Sequence, residues 1–559
     1  MKKSKKILSL MLAAIFSVAI LAGCAGEKTT DATEAKTDQT QAAKESAADG
    51  DSDQSEASKA QSSGDKVDPT AYDETMDVTI TIMTGFTQMD SKVEKMLEDK
   101  YNVNIDLLVL PGWTDGRSKI SMLMAGNEMP DMIWWWGMDN EFLQWKEADM
   151  LVDVSEYMNT YTNIRDYYNK MNPNTLFYAT EDDGSIYRIP GDVSEPSCEC
   201  LWIRQDWLDA LEKDVPETIE ELEEVMRAFT EDDPDGNGLD DTYGLGGDGY
   251  DFRTFWPWFQ GYDNAHWDRF MVDSNGDVVY APVTDDTKNA MESIAKLYKN
   301  GWVTPNITQD TDRDEEMANG GFGVAYTWCN YINPDAQPMV SFKAANPEGN
   351  WVPIPMVAGP NGNPQDNPAN SQAWCYFAIT KTAADPERLF AMYDDMCSME
   401  NYIARRYGTE GEEYTIENGV YNSIIAPASE DDNAQNIGLE LFHNLFNRKD
   451  EANLINTPEA KALFDHSGAA SRDRAALQIE WKNPASLVAW VENRTDIEDE
   501  KTRFMWSLVG GDESIDDWDT YVALLDSLGL QDVLAEAQSV FDLEKGKLDD
   551  YMSNKVNQK

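Results

Sequence analysis

Three consecutive indoles, Trp134-Trp135-Trp136, close a short apolar run in a chain that holds 18 tryptophans in 559 residues. The chemistry such rings suit is stacking. A sugar offers an apolar C–H face that lies flat on an aromatic ring, and hydroxyls that need planar, bidentate hydrogen-bonding groups. A saccharide site therefore combines Trp or Tyr with Asp, Glu, Asn and Arg. Successive side chains of a strand alternate faces, so at most two of the three indoles share a side. Trp328 ends another apolar run, and Arg253-Thr-Phe-Trp256-Pro-Trp258 is a third aromatic cluster. Arg204 ends a predicted strand, and Asp139 and Thr87 fall on neighbouring loops. Each ring has a plainer use as a core or interlobe packing residue.

A second constellation suits a cation. Asp233, Asp235, Asn237, the Leu239 carbonyl and Asp241 place oxygens at positions 1, 3, 5, 7 and 9 of one loop, with Gly238 at position 6. That spacing wraps Ca²⁺. Position 12, where a bidentate Glu closes a full EF-hand, is Gly244. The loop reads as a structural Ca²⁺ site remote from ligand, or as an acidic Asx/Gly turn. Asp273-Ser-Asn-Gly-Asp277 is shorter and reads as a hairpin turn between 270–272 and 278–280.

Catalytic patterns are weaker. His266, His443 and His466 are scattered, and no catalytic segment stands out. A glycoside hydrolase needs two carboxylates at a set separation; with 103 acidic residues, candidate pairs decide nothing. The expectation is a binding protein, not an enzyme, with an extracellular glycoside hydrolase or a glycan-binding adhesin as alternatives. A net charge of −58 disfavours nucleic acid and anionic lipid surfaces, which need a basic face. Apart from Cys24 there are five cysteines in no metal or redox spacing, read as mostly small buried residues, with room for one long-range disulfide whose partners the sequence does not assign.

The elements that must position these residues come in a legible order. Residues 76–83 alternate and are rich in β-branched side chains, 103–107 alternate again, and Asp131 to Trp134 is a third strand. Helical periodicity fills the gaps, which predicts a parallel α/β sheet with ligand at the carboxyl ends of strands. The pattern restarts at Ile186, Thr218 with Glu221 fits a capping box, and helices dominate from Asp385 onward. Ahead of this body, residues 25–70 have no aromatic residue and read as a disordered tether with an end-to-end distance of about 35–40 Å. Ahead of the tether, Lys2 to Lys6 and the apolar Ile7 to Leu21 form an export signal.

Leu21-Ala-Gly-Cys24 resembles the lipobox of bacterial lipoproteins, which implies cleavage before Cys24 and lipidation of its sulfur. The motifs behind it resemble the family 1 extracellular solute-binding lipoproteins of ABC importers, among them maltodextrin- and alginate-oligosaccharide-binding proteins. They are Thr79 to Gly85, Pro130 to Trp136, Gly184 to Pro190, Leu201 to Asp206, Pro216 to Leu222, Gly320 to Trp328, and Trp518 to Leu530. The resemblance implies a two-lobe, type II periplasmic-binding-protein-like α/β fold with a hinge and a helical C-terminal section. Lobe 1 would comprise 71–183 with about 375–470, and lobe 2 would comprise 184–374 with about 471–559. It implies Trp135, then Trp136, as the sugar-contacting residues of lobe 1, with Trp328 and Trp256 from lobe 2. It also implies Thr242 in the position where the alginate-binding relatives close their Ca²⁺ loop. The implied protein is a monomer, anchored by lipid on the outer face of the cytoplasmic membrane. It would deliver an oligosaccharide, or alternatively a peptide, to ABC permease subunits.

Overall fold

Met76–Met83 (β1) alternates apolar Val78, Ile80 and Ile82 with Thr79 and Thr81 yet is buried on both faces over its second half, whereas Val103–Leu110 (β2), at the sheet edge, alternates buried and exposed over its first half. In the computed structural model these two pair in parallel over their full length, and Ile80 of β1 pairs with Met132 of Met132–Trp136 (β3). The structure describes residues 66–83, 88–126, 128–191, 199–247, 249, 252–309, 313–328, 331, 337–360, 372–417, 420–425, 434–439, 441–442, 445 and 479–557.

The helix Lys92–Tyr101 crosses from β1 to β2. It starts at a Ser91/Glu94 capping box and stops at Asn102, whose φ of 51° is left-handed. Trp113–Ala125 crosses from β2 to β3. After short helices the chain returns as Ile189–Pro190 (β4), which extends the first sheet's share beyond residue 183. It then leaves and begins Glu199–Arg204 (β5), Tyr243–Leu245 (β6), the hairpin Phe270–Val272 (β7) and Val278–Tyr280 (β8), Phe322–Trp328 (β9) and Trp351–Ile354 (β10). Cys375–Ile379 (β11) returns to the first sheet.

The first sheet runs β2-β1-β3-β11-β4 and the second β10-β5-β9-β6. Each contains one strand that opposes its parallel neighbours. β11 runs antiparallel to β3, and β5 runs antiparallel to β9. Each sheet has its own core. The first includes Ile80, Ile133, Phe377 and Leu389. The second includes Ile203, Leu222, Val324 and Met291, and the helices Val488–Gly510, Trp518–Ser527 and Leu530–Asn557 insert Phe504, Trp518, Leu530 and Val533 into it. The connections β4 to β5 and β10 to β11 therefore join two lobes.

The expected hairpin at 270–280 is present, its turn held by Asp273 Oδ1 accepting from the Asn275 and Asp277 amides. Thr218 caps its helix through the Glu221 amide at 3.2 Å, but the Glu221 carboxylate accepts from Glu217 rather than Thr218, so the reciprocal half of the box moves back one residue. Cys200, Cys375 and Cys397 are buried; Cys198 and Cys329 lie outside the described residues.

Candidate functional site

The two lobes end alike at the edge where the chain crosses between them. In lobe 1, β3 finishes on Trp136, paired with Cys375 at the start of β11. In lobe 2, β9 finishes on Trp328, paired with Glu199 at the start of β5. The crossing from Pro190 to Glu199 joins these two edges within at most about 30 Å of extended chain. β10 leaves lobe 2 from the same edge and leads back to Trp374 and Cys375. Both half-exposed tryptophans thus stand at carboxyl ends of strands, where α/β sheets bind their ligands.

On lobe 1 the faces divide as alternation requires. The rings of Trp134 and Trp136 are 4.7 Å apart on one side, and the half-buried Trp374 meets Trp134 edge-on at 6.1 Å. Trp135 points the other way. It is 1% exposed, stacked on Phe142 at 5.9 Å and packed against Trp145 and Tyr376. The expectation that Trp135 is the sugar-contacting ring is corrected: it is a core residue of lobe 1, and Trp136 occupies the strand end.

On lobe 2, Arg253 Nη1 donates to Glu199 Oε1 at 3.2 Å while its guanidinium lies 6.0 Å from the centre of the Trp328 ring. Two glycines make this possible. A Cβ on Gly246 would collide with the Phe322 ring and one on Gly247 with Thr254, so only bare backbone lets 252–255 fold onto the ends of β6 and β9. Trp256, in the same segment, turns inward at 1% exposure between His266 and Trp267, which corrects its assignment as a cleft aromatic.

Arg204 is corrected for a topological reason. Because β5 runs against β9, its carboxyl end lies at the opposite edge from Trp328. There Arg204 forms a bidentate pair with Asp206 at 2.8 and 2.6 Å, donates to the Gly320 carbonyl and stacks on Trp207. The residue that the antiparallel register brings beside Trp328 is the buried Glu199, which sequence reasoning missed, as it missed Trp374 on lobe 1. Asp139 is engaged on Arg188 at 3.4 Å. That guanidinium is sandwiched over Phe142 and Tyr376 and donates to the carbonyls of Tyr178 and Lys482, which makes the pair a joint between lobe 1 and the C-terminal section. Burial pushes the Tyr376 phenol up to about 12. Thr87 and Cys24 lie outside the described residues.

The acidic loop leads into β6 from the end away from Trp328. Asp233 accepts from the amides of Asn237 and Gly238 at 3.1 and 3.0 Å, and Asn237 Nδ2 sits between Asp235 Oδ2 at 2.9 Å and Asp241 Oδ1 at 3.1 Å. The carboxylates and the Asn237 carboxamide carry oxygens of the kind Ca²⁺ takes. As the side chains stand, no group of three His, Cys, Asp or Glu among the described residues is arranged to hold a metal ion. Thr242 is corrected as a ligand: it is buried and donates to the Phe229 carbonyl at 2.8 Å, tying the loop to the preceding helix.

Two α/β lobes, a chain that crosses between them, and half-exposed aromatic residues at the strand ends of each lobe define a two-lobe α/β protein. The match of residues 92–392, more than half the chain, places it in a family: this chain belongs to the bacterial extracellular solute-binding proteins. It is 26% identical over 320 residues to lipoprotein LipO of Bacillus subtilis, covering 55% of this chain and 61% of LipO. It is 26% identical over 334 residues to the polygalacturonan/rhamnogalacturonan-binding protein YtcQ of the same organism, covering 57% and 63%. The chain thus spans somewhat less than two thirds of the length of these curated relatives. In fold it is similar to the Streptococcus pneumoniae substrate-binding protein FusA in complex with kestose (TM-score 0.65, 19% identity, 85% of this chain and 100% of that one). An EF-hand mutant of FusA with fructo-nystose superposes equally well (TM-score 0.64, 18% identity, 86% and 100%). Among the described residues no helix is long and apolar enough to cross a membrane.

Proposed function

We propose that this protein captures an oligosaccharide between its lobes and presents it, without chemical change, to the membrane subunits of an ABC importer. The observation that carries this reading is the matched pair of strand ends, Trp136 with Trp374 on lobe 1 and Trp328 with Arg253 and Glu199 on lobe 2. Indoles supply the stacking faces, and the Arg253 guanidinium, held by the buried Glu199 carboxylate, supplies a planar hydrogen-bonding group. YtcQ is a polygalacturonan/rhamnogalacturonan-binding protein and FusA a fructooligosaccharide ABC transporter substrate-binding protein, which supports a saccharide class of ligand. A ligand that touches both lobes favours the closed arrangement by its differential affinity, and the importer reads that arrangement. The first lobe comprises the chain up to Pro190 together with the return from Ala373, and the second comprises 199–357 together with the helices after 479. Cys24 carries the lipid, which holds the monomer at the outer face of the cytoplasmic membrane within reach of its permease.

Incubation with galacturonan and fructo-oligosaccharide panels tests the reading. Quenching or shift of tryptophan fluorescence with no new products supports it; hydrolysis products would sink it.

The acidic loop is the site of a structural Ca²⁺, held by Asp233, Asp235, Asn237, Asp241 and the Leu239 carbonyl. The ion supplies neutralisation of three carboxylates and clamps the start of β6. Calcium at 100 times its dissociation constant adds about 2.7 kcal/mol of stability. The melting temperature should rise with added Ca²⁺ and fall with chelator, and Asp233→Asn should abolish both responses. A melting curve indifferent to Ca²⁺ leaves the loop as an Asx turn.

A further inference from the structure

The end of β3 carries a basic group that the sequence reading passed over. The first turns of Trp113–Ala125 place Gly116 and Arg117 against Trp136 and Gly137. A Cβ on Gly116 would stand 3.1 Å from Cη2 of Trp136, and one on Gly137 would stand 3.6 Å from Nη1 of Arg117. Gly137 has a φ of +56°, the left-handed turn that ends the strand directly after the indole. The helix therefore lays bare backbone under the indole and sets a guanidinium beside the next residue. Arg117 is half-buried. Arg188, Arg204 and Arg253 each pair with a carboxylate, whereas Arg117 makes no ion pair and no hydrogen bond among the described residues. Arg388, also without a carboxylate, is met by the carbonyls of Glu74, Tyr101 and Asn102, whereas Arg117 has no such partner among the described residues. None of the Arg117 nitrogens is buried, so they are open to a ligand, and their planar fork matches a pair of oxygens held side by side.

We propose that Arg117 and Trp136 form one ligand subsite on lobe 1. The indole takes the apolar face of a sugar ring, and the guanidinium takes a pair of oxygens on the same sugar, a uronate carboxylate or two adjacent hydroxyls. This rests on the oligosaccharide-capture reading. It adds a specificity determinant from a helix that none of the aromatic motifs includes. A carboxylate there gains a charge-assisted, bidentate contact, and a diol gains two neutral-acceptor contacts.

The test is a fluorescence titration of galacturonate oligomers and of kestose into the wild-type protein, Arg117→Gln and Arg117→Lys, with a melting curve for each variant. For whichever series the wild type binds, Arg117→Gln should weaken affinity about 10- to 100-fold, and Arg117→Lys should recover only part of it because an ammonium cannot fork. Melting temperatures should stay together. Loss confined to the galacturonates identifies the carboxylate, and loss on kestose identifies the hydroxyl pair. Wild-type affinity in Arg117→Gln for every saccharide bound overturns the subsite and leaves the capture reading standing. A wild-type protein that binds neither series sinks the capture reading, and the subsite with it.

Discussion

Trp135 and Trp136 are neighbours in sequence and opposites in environment, and that contrast makes the sharpest prediction available for single residues. Trp135 is enclosed by Phe142, Trp145 and Tyr376. Trp135→Ala leaves a cavity in the lobe 1 core and should cost about 3–5 kcal/mol of stability, read by chemical denaturation. Trp136 is half-buried at the strand end, so Trp136→Ala should cost much less stability and weaken saccharide binding at least about tenfold, as loss of an anchoring aromatic does. Equal stability losses from the two substitutions would refute the assignment of faces. Glu199→Gln should also weaken binding, because it removes the carboxylate that holds Arg253 beside Trp328.

At the scale of elements, the C-terminal helix Leu530–Asn557 is anchored in both lobes. Its first turns bury Leu530, Val533 and Ala537 in the lobe 2 core. Further on, Glu544 accepts from the Lys482 amide, Lys547 pairs with Asp182 at 2.6 Å, and Tyr551 packs on Phe177 at 5.6 Å. A hinge motion must bend this strut or release its tip. Lys547→Glu opposes two carboxylates and should free the tip. Hydrogen exchange should then rise in Asn174–Ala179 and stay unchanged in β9; protection of both at the wild-type level would show that the tip carries no load. The helix Ile219–Glu231 gives a pH prediction. Hydrogen bonds from Arg227 hold the Glu224 carboxyl down to about 2 from its ordinary 4.5. A depressed folded-state value means the pair contributes fully above about pH 4.5 and loses its contribution as pH falls toward 2. Glu224 is 53% exposed, so solvent screening limits the effect to about 0.5 kcal/mol. The difference between wild type and Glu224→Gln, measured by urea midpoints, should vanish by pH 2.

At the scale of the molecule, function is a relation between two lobes. Small-angle scattering should show the radius of gyration falling when saccharide is added, and no change when Trp136→Ala and Arg253→Ala are combined. The amino-acid sequence determined what short-range physics fixes. The alternation of β1, the turn at 273–277 and the cap at Thr218 each depend on residues within a few positions of one another, and each is found where local chemistry places it. Alternation even separates Trp135 from its neighbours. Tertiary structure decided which of those faces is packed in the core, and it decided the direction of β5 and β11. A strand's direction relative to its partner is set by contacts more than a hundred residues away, as between Glu199 and Trp328 or Trp136 and Cys375. Read as a parallel strand, β5 offers Arg204 to ligand; paired against β9 it sets Glu199 beside Trp328 instead, and Arg204 becomes a packing residue at the far edge. The same long-range register brings Gly116 and Arg117 beside Trp136 and Gly137, a juxtaposition no local pattern encodes.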